Sequence, residues 1–330
     1  MEQTTADELL ASAHVVSLPM RIRFRGITHR EALILRGPAG WGEFAPFPEY
    51  LDGEAASWLR AAIEAAWEGF PAPVRSQVPV NATMPAVGVA DVEPVLKRFG
   101  AVSAVKIKVA ERGQSLADDV ARVAEVRRLL PEAKLRIDAN GGWNHAEALS
   151  ALAALASYSL EYAEQPVMDT DGLRAVRLEV RRRGIPVLIA ADESIRKAED
   201  PLRVVREDAA DVIVVKVAPL GGVGRALDIV AQAGLPAVVS SALDTSVGIQ
   251  AGVALAAALP NLPYANGLAT LSLMDGDVSD EPLLPSGGWL PVRPVSVSEE
   301  LLERHAAPAD RVEWWRNRLR RVHAILASGA

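Results

Sequence analysis

The 330-residue chain has no cysteine, which excludes disulfides, thiolate nucleophiles and sulfur-ligated zinc or iron–sulfur centres. Histidine is scarce: five occur, at positions 14, 29, 145, 305 and 323, and none lies at the end of a β-rich run, so histidine is not the candidate base. A basic stripe is also missing. Lys and Arg number 35 against 42 Asp and Glu, a net charge of −7, which disfavours nucleic acid and leaves a small molecule as the expected partner. The first residues, MEQTTADELLASAHVV, have neither the basic start nor the apolar run of a signal peptide, and no stretch reaches membrane-spanning length. The expected location is the cytoplasm. Oligomeric state is not legible.

What is present is an apolar, alternating chain. Hydrophobic residues make up 50% and charged residues 23%, with a mean hydropathy of +0.13, the balance of a soluble protein with a large core. From Val78 onward, short β-rich runs alternate with amphipathic helical segments: VPVNATM (78–84), VSAVKIKV (102–109), LRIDAN (135–140), LEYAEQP (160–166), PVLIAADES (186–194), DVIVVKV (211–217), LPAVVSS (235–241) and a weaker YANGLAT (264–270). Eight runs fit a closed α/β barrel. Between them, SLADDVARVAEVRRLL carries Leu116, Val120, Val123, Val126 and Leu130 at three-to-four spacing, a stripe that faces the sheet. Residues 1–77 differ, with Gly- and Pro-punctuated β-rich runs over 14–50 and an amphipathic helix over 55–70, the pattern of a small α+β unit. The division is therefore 1–77 as an N-terminal capping unit, 78–291 as the barrel and 292–330 as a tail that returns to the cap. The Arg-rich face of RVEWWRNRLRRVHAIL in the tail reads as a solvated helix face, with anion binding as the alternative.

The chemistry lies at the run ends. Lys108, Asp138, Glu164, Asp192 and Lys216 end five successive runs, and a barrel gathers such ends at one mouth. Asp138, Glu164 and Asp192 are hard oxygen donors with no nitrogen or sulfur ligand beside them, a set suited to Mg²⁺. Each alone fits a helix cap or a turn; three at successive strand ends do not. Lys106 and Lys108 alternate onto one face of their strand, and Lys216 interrupts an otherwise apolar run. A lysine base must fall from about 10.4 to roughly 7–8, a cost of about 4 kcal/mol, and the expectation is that Lys106 and a metal supply this push to Lys108. Ser240, Ser241, Asp244, Thr245 and Ser246 offer hydrogen bonds to a substrate carboxylate or carbonyl, and GGVG at 221–224 offers a weak anion site before a helix.

With KxK, DAN, EQP, ADES and a lysine 24 residues beyond that aspartate, the chain resembles the enolase superfamily in its muconate-lactonizing subgroup. LPMRIRFRGI, GWGEFAPFPEY and VNATMPAV look like the o-succinylbenzoate synthases of menaquinone biosynthesis, in their actinobacterial form. The resemblance implies a (β/α)₇β barrel, TIM-like, with an α+β capping domain. It implies Mg²⁺, with Mn²⁺ as a substitute, on Asp138, Glu164 and Asp192. Lys108 is then the general acid/base, Lys216 the opposing lysine and Lys106 a support for Lys108. Arg136 resembles the arginine standing behind the ligands and, with Arg21, Ser240, Ser241 and Gly267, is a candidate substrate contact. The implied reaction is loss of water from 2-succinyl-6-hydroxy-2,4-cyclohexadiene-1-carboxylate. N-acylamino acid racemisation or dipeptide epimerisation on the same scaffold is the alternative, and a non-catalytic binding barrel a remote one. Arg21 and the loop Phe47, Pro48, Glu49 and Tyr50 are expected to close over the mouth.

Overall fold

Alternation of apolar and polar residues builds the first unit as a meander. In the computed structural model, which describes residues 4–24, 26–196 and 200–328, β1 (His14–Phe24), β2 (Ile27–Gly37) and β3 (Gly40–Phe44) form an antiparallel sheet in that order. The helix Asp52–Ile63 buries Trp58 and Leu59 and packs against β3, the tail helix Ala309–Ser328 and the short barrel helix Val217–Leu220. The tail helix docks through charge as well as apolar contact. Glu31 accepts from Arg311 Nη2 at 2.6 Å and from Trp315 Nε1 at 2.8 Å, while Arg318 donates to the carbonyls of Phe47 and Tyr50. Much of the Arg-rich face is thus occupied inside the protein.

The run 78–84 divides into β4 (Gln77–Pro79), which pairs with β12 (Trp289–Pro291), and β5 (Ala82–Met84), which opens the barrel. After it come β6 (Ala104–Lys108), β7 (Lys134–Asp138), β8 (Leu160–Glu164), β9 (Leu188–Ala191), β10 (Val212–Val215) and β11 (Ala237–Val239). These seven strands make one sheet in chain order, and every adjacent pair is parallel. The weak eighth run forms no ladder. It closes the ring through two parallel bridges, Val80 with Asn266 and Ser240 with Gly267, because Asn and Gly give it little strand preference. The helices between strands bury Val123 and Val126, Leu149 and Leu152, Leu173 and Val176, and Val223 and Ala226 against the sheet.

Two of the expected strand-end residues sit one step further on. Asp192 follows the last residue of β9, and Lys216 follows β10 as the N-cap of the helix Val217–Leu220. The GGVG turn is filled from within. Glu64, at the end of the cap helix, accepts from the amides of Val223 and Gly224, and a Cβ on Gly222 (φ +127°) would fall 2.1 Å from its Oε2. No external anion is needed to satisfy that helix start.

Candidate active site

Parallel register sets the constellation. Lys108 stands opposite Asp138, Asp138 opposite Glu164, and Glu164 opposite Ala190, two residues before Asp192. Alternation turns Lys106 to the same face as Lys108, so two cations and three carboxylates meet at one edge. Lys106 Nζ donates to Glu164 Oε1 and Oε2 at 3.0 and 3.1 Å and lies 3.5 Å from Asp138 Oδ2. Lys108 Nζ donates to Asp138 Oδ2 and, at 2.7 Å, to Asn140 Oδ1. Lys216 Nζ donates to Asp192 Oδ2.

Burial alone would lower Lys106, but Glu164 and Asp138 outweigh it and hold this ammonium well above the usual lysine range. Burial also pulls Lys216 down, with Arg196 and Lys106 adding to it, and Asp192 only partly compensates. Asp138 and Asp192 are buried, which works to raise them, yet Lys108 and Lys106 on one side and Lys216 and Arg196 on the other keep both below the ordinary aspartate value. Glu164 is the exception. Burial and then Asp138 push its carboxyl up to about 8, because one Lys106 cannot neutralise two carboxylates. Such crowding of hard oxygens is what a divalent cation relieves, so the donor set fits Mg²⁺ or Mn²⁺. Among the described residues, no three acidic or histidine side chains converge as a ready-made metal cage; each carboxylate is turned onto a lysine or arginine.

Above this layer lies a narrow cleft between cap and barrel, lined by Lys106, Lys108, Asp138, Lys216, Ser240 and Ser241 from the expected set, with Phe47 and Tyr50 from the cap loop. Glu164 and Asp192 lie beneath its floor, fully buried. Three expected contacts lie elsewhere. Arg136 is turned toward the barrel interior, where it bonds Asn81 Oδ1, Glu161 and the Ala265 carbonyl and stacks beside Tyr162, because it sits two residues deeper than Asp138. Arg21 points outside the cleft, to the Met274 carbonyl and Asp275. Gly267 stands behind the wall, its carbonyl accepting from Ser241 N and Oγ. Pro48 and Glu49 are not in the lining, and Thr245 and Ser246 are buried behind it with Asp244 half-buried beside them.

Several lining groups were not singled out from the sequence. Asn140 bridges Lys108 to Glu193 Oε1, and Arg196 joins Asp192, Glu193 and the Tyr50 hydroxyl. Phe24 lies 5.6 Å from Lys108 Nζ, and Trp58 reaches the cleft from the cap helix. The signal for Asn140 was the DAN turn itself, where Asn140 adopts φ +47° and donates its amide to Asp138 Oδ1. For Arg196 it was the four-residue step from Asp192 along one helical turn.

Residues 89–295 match the family described as enolase C-terminal domain-like, and residues 15–66 match enolase N-terminal domain-like. An o-succinylbenzoate synthase of Mycolicibacterium smegmatis is 54% identical over 97% of this chain and 98% of its own length. Another, of Thermobifida fusca, is 58% identical over 87% of this chain and 89% of its own. Among solved structures, muconate lactonizing enzyme from Pseudomonas fluorescens complexed with muconolactone superposes with a TM-score of 0.75 at 22% identity, covering 90% of this chain and 98% of that one. A dipeptide epimerase from Enterococcus faecalis gives 0.70 at 23%, covering 86% and 97%. At such identities these two structures speak for the fold alone.

Proposed function

The chain belongs to the o-succinylbenzoate synthases of the enolase superfamily, and from that premise we propose how its own residues carry the reaction. The enzyme is a lyase of menaquinone biosynthesis that removes water from 2-succinyl-6-hydroxy-2,4-cyclohexadiene-1-carboxylate to give o-succinylbenzoate. The observation that carries the assignment of roles is that Lys108 and Lys216 line one cleft while each is anchored to a carboxylate at a different strand end.

The proton next to a carboxylate is weakly acidic, so positive charge must already be in place when it leaves. Asp138, Glu164 and Asp192 would hold Mg²⁺, which when bound supplies that charge at the substrate carboxylate. Lys106 stays an ammonium beneath the site, held by Glu164 and Asp138. Neutral Lys108 takes the α-proton. The ammonium so formed returns that proton to the 6-hydroxyl on the same face, where it departs as water. Lys216, held by Asp192 and Asp192 in turn by Arg196, keeps a cation at the opposite wall as the enolate forms. Phe47, Tyr50 and Trp58 cover the mouth and limit water there. We also take residues 1–77 and 292–330 as one capping unit over a 78–291 barrel, supported by the bonds of Glu31 to Arg311 and Trp315.

The test is turnover of the dehydration substrate beside N-succinylamino acids and dipeptides. Conversion of the first with little racemisation of the others supports the synthase. Racemisation at a matching rate would favour the alternative that the paired lysines also permit.

A further inference from the structure

The seventh strand-to-helix turn, Ser240–Thr245, forms one wall of the cleft, and its shape is set from the cap by two buried charged residues. Leu243 takes φ +63°, a left-handed conformation unfavourable for a non-glycine residue. Its carbonyl is held by Arg30 Nε of β2 at 3.0 Å, and the same guanidinium donates to the Ala45 carbonyl and lies over the Phe47 ring. Two residues on, Glu43 of β3 accepts through Oε2 from Thr245 N at 3.0 Å, Thr245 Oγ1 at 2.5 Å and Gly248 N at 3.1 Å. Thr245 caps its own helix through the Val247 amide alone, and Glu43 takes the Thr245 and Gly248 amides that this cap leaves open. Between the clamps, Asp244 folds back to accept from Ala242 N at 3.0 Å.

Arg30 is 1% exposed and Glu43 8%. Burying polar groups at an interface that apolar packing could close is costly, and these two side chains bond backbone and hydroxyl atoms of the turn rather than its apolar side chains. Among the described residues, the turn is hydrogen-bonded to the neighbouring barrel strands at its start, where Ser240 N meets the Val215 carbonyl and Ser241 Oγ the Gly267 carbonyl and Thr270 Oγ1. Its far half takes its conformation from the cap.

We infer that Arg30 and Glu43 are positioning residues: the capping strands fix the turn 241–245, and with it the wall that meets the substrate, without touching the substrate themselves. This rests on the synthase reading for the identity of the substrate. The mechanism is alignment, so loss of either clamp should weaken substrate capture more than the chemical step.

The experiment compares Arg30→Met, Glu43→Leu, Glu43→Gln and Gly248→Ala by steady-state dehydration kinetics and by thermal unfolding of the full chain. Arg30→Met and Glu43→Leu should raise KM about ten-fold or more with kcat within about three-fold. Glu43→Gln keeps an acceptor oxygen in place and should restore KM to near the parent value. Gly248→Ala removes no group and suits a helix, yet its Cβ would come 2.6 Å from Asp244 Cβ and 3.0 Å from Glu43 Cδ, so it should also raise KM. It serves as the probe if the other variants fail to fold. A lower unfolding temperature with unchanged KM in all three disruptive variants would reduce Arg30 and Glu43 to simple docking contacts and overturn the inference. Absence of dehydration by the parent protein would instead overturn the synthase reading.

Discussion

Arg196 donates from Nη1 to the hydroxyl of Tyr50 at 3.3 Å, and so joins the cap loop to the guanidinium that also bonds Asp192 and Glu193. Through Glu193 and Asn140 the same group reaches Lys108, and through Asp192 it reaches Lys216. Replacing it therefore strands buried charge on both sides of the site. Arg196→Met should cost about 3–5 kcal/mol of stability and nearly all turnover. Tyr50→Phe removes the link from the cap hydroxyl to this guanidinium, a hydrogen bond from a charged donor, and should cost no more than about 3 kcal/mol with kcat largely kept. Urea unfolding and steady-state kinetics of the two variants check both expectations.

The three carboxylates should be individually required. Asp138→Asn, Glu164→Gln and Asp192→Asn keep shape and lose charge, so each should reduce turnover by at least ~10²-fold while the circular dichroism spectrum is retained. Excess chelator should stop the parent enzyme, and Mg²⁺ or Mn²⁺ should restore it. Full activity in chelator would remove the metal role.

Glu43 gives stability a pH dependence of known sign. Burial, then the neighbouring Asp244, raise its carboxyl from 4.5 to about 8 in the folded protein, against the hydrogen bonds from Thr245 and the charge of Arg30. Asp244 is raised as well and feels Arg30 and Lys216. A group that binds its proton more tightly when folded stabilises the fold fully below its unfolded value of 4.5, and this contribution is lost as pH rises through about 8. The unfolding temperature should accordingly fall between about pH 4.5 and 8. Glu43→Gln should make that fall shallower, the remainder belonging to Glu164, whose carboxyl is raised to the same range; an equally steep profile in the variant would assign none of the titration to Glu43.

Glu64 offers a purely structural counterpart. Its carboxylate sits on the first amides of the helix Val223–Ala233, outside the cleft lining. Glu64→Ala should lower stability by about 1–2 kcal/mol, the worth of a lost cap and a favourable dipole contact, with kcat and KM unchanged. Chemical denaturation beside kinetics separates the two effects.

Much of this was legible because strand and helix lengths alone repeat the strand ends at regular intervals. Lys106, Lys108 and Asp138 follow from alternation, and the cleft receives them as alternation requires. The same rule was incomplete for Arg136, whose face was right and whose depth was not: two residues along a strand is a step of about 7 Å, enough to move a side chain from the mouth to the interior. Arg21 failed differently. Its destination was the Met274 carbonyl, 253 positions away, and no local pattern encodes a contact of that separation. Arg30, Glu43 and Glu64 share that property, since each acts on backbone amides or carbonyls far along the chain. Backbone partners leave no trace in residue identity, so cap-to-barrel clamps stay hidden until the fold is known.

The two lysines should behave unequally. Both are anchored to aspartates, but Lys108 also reaches Asn140 beside the Phe24 ring, whereas Lys216 bonds Asp192, which Arg196 holds in turn. If Lys108 alone moves the proton in a same-face elimination, Lys108→Ala loses both abstraction and leaving-group protonation, at least ~10²–10⁴-fold for each role. Arginine keeps a charge and cannot serve as a base, so Lys216→Arg should retain more dehydration than Lys108→Arg. A racemase would lose both alike, because each lysine there delivers or removes a proton on its own face. Dehydration rate and exchange of the substrate α-proton in D₂O, measured for the two arginine variants side by side, decide the matter. Equal and complete loss of both readouts in both variants would mean that Lys216 also transfers protons, and the one-base mechanism would be abandoned.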